Sequence, residues 1–294
     1  VLNRLSFAVI FDFSQLLRCF VHLCRGFALS MVLLASVWCD CVAAEWQIVD
    51  QSVAQDPSAP FRHEKKVISE AGETGLFSTR TIDLVWFHAA DYTFTVIDNG
   101  PEIDRPIYSG LAAAMQQNGC LAGCNGGFFL KDHGPSGLMI SRGTVSGKFG
   151  TGGLLSGVLL SSGNRNPYLL RRAEYDSGKY KATDLIQCGP FLVDQGKSVR
   201  GLSPENSRRR TFIAHDGGKW FALGLSGTFT LAELGEVLSH ADFSPSRKLH
   251  RALNLDGGSS SGLYFERGSG DPVGIEPYKT VRNFVGIVPR VKAE

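Results

Sequence analysis

Apolar residues run along most of the chain in short blocks closed by Gly, Asn, Asp or Ser, a rhythm that belongs to strands and turns more than to helices. Leu84–Phe87 and Tyr92–Ile97 are rich in β-branched and aromatic residues, with Asp98-Asn99-Gly100 closing the second, and are expected to pair with each other. Further strands are predicted over Gly126–Leu130, Leu138–Ser141, Leu154–Leu160, Tyr168–Arg172, Phe191–Asp194, Leu253–Leu255, Leu263–Phe265 and Phe284–Val288. Thr211–Ala214 and Trp220–Leu225 flank Asp216-Gly217-Gly218-Lys219, a hairpin signal. Helix signals are fewer. Ser109 is placed to cap Leu111–Gln117, with Gly119 after its end, and Thr230 with Glu233 forms a capping box ahead of Leu231, Leu234 and Leu238 on one helix face. The pattern predicts an α+β fold, a mostly antiparallel mixed sheet with two or three packed helices in a single domain over 76–294. Residues 45–75, with Pro57, Pro60 and mixed charges, are expected to form a loosely structured lead-in.

The N-terminal pattern is different. Phe27–Trp38 is apolar and uncharged, preceded by Arg25 and followed by the small residues Val42, Ala43 and Ala44, which reads as a secretory signal cleaved after Ala44. The stretch falls short of the ~20 residues that a bilayer-spanning helix needs. No later segment qualifies as a membrane span, so residues 1–44 are assigned to the signal and an over-called extension ahead of it, and the mature protein is expected in the periplasm or secreted. Cleavage leaves Cys120, Cys124 and Cys188 of seven cysteines. In an oxidising compartment Cys120 and Cys124 are the favoured disulfide, with three buried thiols as the alternative.

Composition narrows the function. Thirty basic against 28 acidic residues, a net charge of +2, give no electrostatic footprint for nucleic acid, and 43% hydrophobic residues exclude a disordered chain. The histidines are scattered, there is no HExxH and no second CxxC-like pair, so a zinc site is not expected and no cofactor is assigned. Gly258-Ser259-Ser260-Ser261-Gly262 matches the G-x-S-x-G of hydrolase nucleophile elbows. Its context opposes that reading, because Leu263–Phe265 reads as strand where a helix is required, and no histidine follows His250.

Polar groups gather at strand ends in Asn125-Gly126-Gly127-Phe128-Phe129, Arg209-Arg210-Thr211 and Asn254-Leu255-Asp256-Gly257-Gly258-Ser259-Ser260. Paired glycines next to Asn or Asp can cradle a phosphate or a sugar hydroxyl, and they also make ordinary turns. Together with Cys188-Gly189-Pro190-Phe191-Leu192-Val193 and Arg282-Asn283-Phe284, these segments resemble, in order, the phosphodiester glycosidase family. Ser259 stands where that family often has a third glycine.

The resemblance implies an exported α+β hydrolase that cleaves between a sugar's anomeric carbon and a phosphate. A phosphate monoester is a good leaving group, so charge stabilisation matters more than strong acid help. Arg210 and Arg282 are the candidates to grip phosphate oxygens, with a structural salt bridge as the alternative for each. Asp256 is the candidate carboxylate for activating water or stabilising the anomeric carbon, with an Asx turn as its alternative. Asn125, Gly126, Gly127, Phe129, Thr211, Gly257, Gly258, Ser259, Ser260 and Asn283 are candidate substrate contacts. Asp132 and Glu266 are candidates for a second carboxylate. A divalent ion bridging Asp256 and a phosphate stays an alternative that no EF-hand-like spacing supports. The competing reading is a non-catalytic domain that binds carbohydrate, an envelope polysaccharide or exopolysaccharide, in the same glycine-lined cleft.

Overall fold

Strands whose alternate residues are apolar on both faces must be covered on both sides, and among the described residues three sheets and two α-helices cover them. A computed structural model describes residues 46–53, 59–71, 77–162, 166–267 and 271–290. Every strand pair in it is antiparallel. With strands numbered in chain order, the largest sheet runs β1 (Trp46–Val53), β2 (Phe61–Ala71), β3 (Phe77–His88), β14 (Trp220–Phe229), β13 (Arg208–His215), β15 (Arg251–Asn254), β11 (Phe191–Asp194), β12 (Lys197–Ser198). A second runs β7 (Thr144–Ser146), β6 (Met139–Ser141), β10 (Asp184–Cys188), β8 (Gly157–Ser161), β9 (Tyr168–Arg171). The third runs β17 (Val273–Ile275), β16 (Leu263–Phe265), β5 (Ala122–Asn125), β18 (Asn283–Pro289), β4 (Tyr92–Asp98). The α-helices among the described residues are α1 (Leu111–Gln117) and α2 (Leu231–Ser239). The fold is predominantly β.

The three sheets share one core. Val85 and Phe87 of β3, Val96 of β4, Cys124 of β5, Leu159 of β8, Ile186 of β10 and Ile213 of β13 all belong to it. Alternate residues of the same strands face the other way: Ile82, Leu84 and Trp86 join Phe212, Ala222 and the Leu234, Val237 and Leu238 side of α2. On the outer face of the third sheet, α1 packs Leu111, Ala114 and Met115 against Ile97, Tyr264 and Phe284. Each such buried Leu, Phe or Met contributes roughly 1.5–3 kcal/mol from its removal from water.

Several expectations change. Leu84–Phe87 and Tyr92–Ile97 are strands but not partners: β3 pairs with β2 and β14, whereas β4 pairs with β18. The turn between them carries the chain from one sheet to another. The segment expected as a loose lead-in supplies β1 and β2. Its inward positions hide the pattern, because Arg62, Glu64 and Lys66 are buried beside Ile68. Lys66 Nζ donates to Glu64 Oε1 (2.7 Å), Trp86 Nε1 donates to Glu64 Oε2 (2.8 Å), and the ammonium lies 5.3 Å from the Phe243 ring centre. Paired and hydrogen-bonded, these charges tolerate burial.

Helix α1 starts where predicted but is not capped by Ser109. Its N-cap is Gly110, and the Leu111 and Ala112 amides donate to the Glu276 carboxylate (2.7 and 2.8 Å). The capping box of α2 forms as expected, Glu233 N–H donating to Thr230 Oγ1 and Thr230 N–H to Glu233 Oε2 (3.1 and 2.7 Å). β5 stops at Asn125, so Gly126–Leu130 leaves the sheet instead of forming a strand. The expected disulfide is not formed: Cys124 faces the shared core while Cys120 packs under α1, and both are free thiols, as is Cys188. Burial pushes the Cys120 thiol up to about 12, which keeps it protonated. The signal expected within 1–44 lies outside the described residues. Among the described residues no helix is long and apolar enough to cross a membrane.

Candidate active site

The motif segments meet where the largest and third sheets end together. β5 ends at Asn125, β15 ends at Asn254, β13 carries Arg210 and Thr211, and β18 opens at Asn283. Backbone hydrogen bonds join the chain at and just beyond these ends. Gly126 N–H donates to Asn283 O (2.9 Å), Asp256 N–H to Gly126 O (3.0 Å) and Leu255 N–H to Thr211 O (2.8 Å). Segments remote in sequence are thereby locked in register.

Asn125 completes the junction from inside. It is fully buried; its Nδ2 donates to Asp256 O (2.6 Å), and its Oδ1 accepts from Thr211 Oγ1 (2.7 Å) and Gly262 N–H (3.0 Å). The amide and the Thr211 hydroxyl are spent on the protein, so these two residues hold the site's frame where a ligand contact was expected. Asn125→Ala should therefore lower the unfolding free energy by about 3 kcal/mol, since a buried hydroxyl, an amide and a carbonyl lose their partners. A urea unfolding midpoint unchanged from wild type would refute that role.

Beside this junction lies a cleft of about 340 Å³ whose lining includes Phe128, Pro190, Glu205, Asn206, Arg208, Arg210, Asn254, Asp256 and Gly257. Arg210 reaches it across Gly257. Its Nε donates to Phe229 O (3.0 Å) and its Nη2 to Asn206 O (2.7 Å), which leaves Nη1 without a partner among the described residues. Among the described residues neither Arg210 nor Arg208 forms a salt bridge. Burial first, and the neighbouring Arg208 charge second, lower the Arg210 pKa. Among the described residues this buried cation has carbonyl partners but no counter-ion, the condition of an anion-binding group.

Asp256 faces the same cleft, its Oδ1 accepting from Gly257 N–H (2.9 Å). Burial raises its pKa above the ordinary carboxylate value, opposed by the Ser260 hydroxyl, the Lys279 charge and the Gly257 amide. Gly258 takes a left-handed backbone (φ +65°) to start the 3-10 turn Gly258–Ser260. Ser259 is exposed with an ordinary φ, and its carbonyl accepts from Tyr278 N–H (2.8 Å), so serine fits where a third glycine is common. Ser260 is buried in that turn, which leads into β16 and not into a helix, against a nucleophile elbow.

Other expected contacts are placed elsewhere. The Arg282 guanidinium is buried in an ion pair with Asp98, Nη2 lying 3.0 Å from Asp98 Oδ2, and it does not line the cleft. Asn283 Oδ1 accepts from Gly127 N–H (2.8 Å). A Cβ on Gly126 would sit 2.0 Å from Asn283 Oδ1 and one on Gly127 2.8 Å from Ile186 Cγ2, so close packing of protein on protein explains both glycines. Phe128, not Phe129, lines the cleft; Phe129 lies edge-on to His133 with Lys279 Nζ 4.8 Å from its ring centre. Asp132 Oδ1 accepts from Gly134 N–H within its own loop (3.0 Å), and neither Asp132 nor Glu266 borders the cleft. Glu205 does, and it escaped sequence reading because Ser203-Pro204-Glu205-Asn206 carries only turn signals. Arg208 and Lys279 were likewise missed, although Arg208 adjoins a motif, and Asn254 opened a motif segment without being given a role. Among the described residues no three His, Cys, Asp or Glu side chains gather as a metal site.

The comparisons with known proteins agree with this architecture. The catalytic domain of zebrafish N-acetylglucosamine-1-phosphodiester alpha-N-acetylglucosaminidase, auto-inhibited by its pro-peptide, is similar over 83% of this chain and 87% of its own, at 14% identity and a TM-score of 0.57. A candidate exported protein from Burkholderia pseudomallei is similar over 84% of this chain and all of its own, at 10% identity and a TM-score of 0.55. At such identities the likeness is one of fold. No curated protein matches the chain significantly. The phosphodiester glycosidase family profile matches residues 118–288, from the end of α1 through β18 and across every cleft-forming segment, and on that match the chain belongs to the phosphodiester glycosidase family.

Proposed function

We propose that this protein is an exported hydrolase that cleaves the bond between the anomeric carbon of a sugar and the phosphate of a glycosyl phosphodiester. The observation that carries the reading is one cleft lined both by an acid with a raised pKa and by an arginine that has no counter-ion among the described residues. Arg210, with Arg208 beside it, binds the phosphate and stabilises the charge that collects on it as the bond to carbon breaks. Asp256 accepts a proton from the attacking water. Its burial makes it a stronger base than an ordinary aspartate, while Lys279 and the Gly257 amide favour its ionised form. The water oxygen bonds to the anomeric carbon, the carbon–oxygen bond to phosphate breaks, and the products are a reducing sugar and a phosphate monoester. Glu205 supplies a second carboxylate at the same cleft. Asn125, Thr211 and Asn283 position these groups. The leader expected over 1–44 would place this hydrolase in the periplasm or outside the cell.

The purified protein is expected to release reducing sugar and a phosphate monoester in equal amounts from a glycosyl 1-phosphodiester. Release of sugar 1-phosphate with the alcohol would mean cleavage of the other ester bond. Binding of carbohydrate with no turnover would mean a binding module.

A further inference from the structure

Asn254 closes β15 at the wall of the cleft and is 2% exposed. Both hydrogens of its amide are used, Nδ2 donating to Gly189 O (2.9 Å) and to Leu255 O (2.6 Å). These bonds fix which way the amide faces, because the flipped group would press its oxygen against two carbonyl oxygens. Oδ1 is left buried with no hydrogen-bond partner among the described residues. Buried polar atoms in folded proteins are overwhelmingly paired. Asn254 lines the cleft while its Oδ1 is itself almost closed off, so an orphaned acceptor here marks a place where an occupant that shifts the wall slightly supplies the missing half.

The chemistry of the occupant follows from that of the atom. Oδ1 can only accept, and a phosphodiester anion offers only acceptors, so this atom cannot serve the phosphate. Arg208 and Arg210 already supply donors for that. Resting on the glycosidase reading above, we propose that Asn254 selects the glycosyl half of the substrate, its Oδ1 accepting a hydrogen bond from a donor on the sugar ring. A hydroxyl O–H and an amide N–H present the same hydrogen. Asn254 thus acts as a specificity-determining residue, while Arg210 grips the anionic half.

Binding to the intact wild-type protein tests this without altering the fold. The probes are methyl C-glycosyl phosphonates, in which a methylene group replaces the bridging oxygen so that nothing is hydrolysed. Gluco, galacto, manno and 2-acetamido forms are measured by calorimetry, each with its monodeoxy and monofluoro derivatives. One ring position should lose about 10- to 100-fold in affinity on replacement by hydrogen, and similarly by fluorine, which donates no hydrogen bond. The 2-acetamido arm shows whether the donor is an amide. In Asn254→Ala, where that variant folds, the same derivative should bind as its parent does. Tight binding of a parent with every derivative within twofold of it would overturn the proposal and leave Oδ1 to a water molecule. Failure of every parent to bind would overturn the glycosidase reading itself, and the role of Asn254 with it.

Discussion

Asp256→Asn is expected to lower kcat for a glycosyl phosphodiester by about 10²- to 10⁴-fold, the range for loss of a positioned acid–base group, with much less change in KM. Asparagine keeps the shape and can still accept from the Gly257 amide, but it cannot take a proton from water. The same substitution should stabilise the fold at neutral pH. The folded-state pKa of Asp256 is raised by burial, so its protonated form favours the native state. The stability this confers is fully present below the unfolded value of about 3.9 and is lost as pH rises through the higher folded pKa. Wild type and Asp256→Asn should therefore unfold alike near pH 3, and the variant should melt higher at pH 7. Activity of the wild type should fall toward acid as Asp256 becomes protonated, from a pH above that of an ordinary aspartate. A variant with wild-type turnover, or one less stable at pH 7, would remove Asp256 from the mechanism proposed here.

Arg210→Met should cost about 10²- to 10³-fold in kcat/KM, the scale seen when one donor to a developing anion is removed. Arg210→Lys should recover little. One guanidinium edge is anchored at Phe229 O and Asn206 O while Nη1 remains for the ligand, and a single ammonium cannot make both sets of contacts. The loss should be specific to anionic substrates. If Arg210→Met turned over the phosphodiester as wild type does, the site would have to hold phosphate through Arg208 or Lys279 instead.

How far the sequence can be read depends on where the deciding forces lie. The capping box of α2, the β13–β14 hairpin and the bounds of β11 are local, and their residues announce them. β1 and β2 did not, because a Glu–Lys pair in β2 supplies buried polar atoms where the alternation called for aliphatic ones. The pairing of β3 with β4 failed for a related reason: strands buried on both faces lose the period that would say which sheet each belongs to. The cap of α1 comes from Glu276, far along the chain, and no local pattern could name it. At the site, the motifs marked the right segments but not the roles within them. Asn125 and Thr211 look like ligand contacts until their partners are seen, Arg282 is claimed by Asp98, and the orphan oxygen of Asn254 exists only because two carbonyls have taken its neighbouring nitrogen.

The backbone bonds that tie Gly126 to Asn283 and Asp256 to Gly126 leave the floor of the cleft without a hinge. Freedom to adapt then falls to the opposite lip, residues 203–207, where Asn206 takes a left-handed turn (φ 59°) and Glu205 is exposed. Because the Asn206 carbonyl on that lip also holds Arg210, any change of shape there is passed directly to the anion-binding guanidinium.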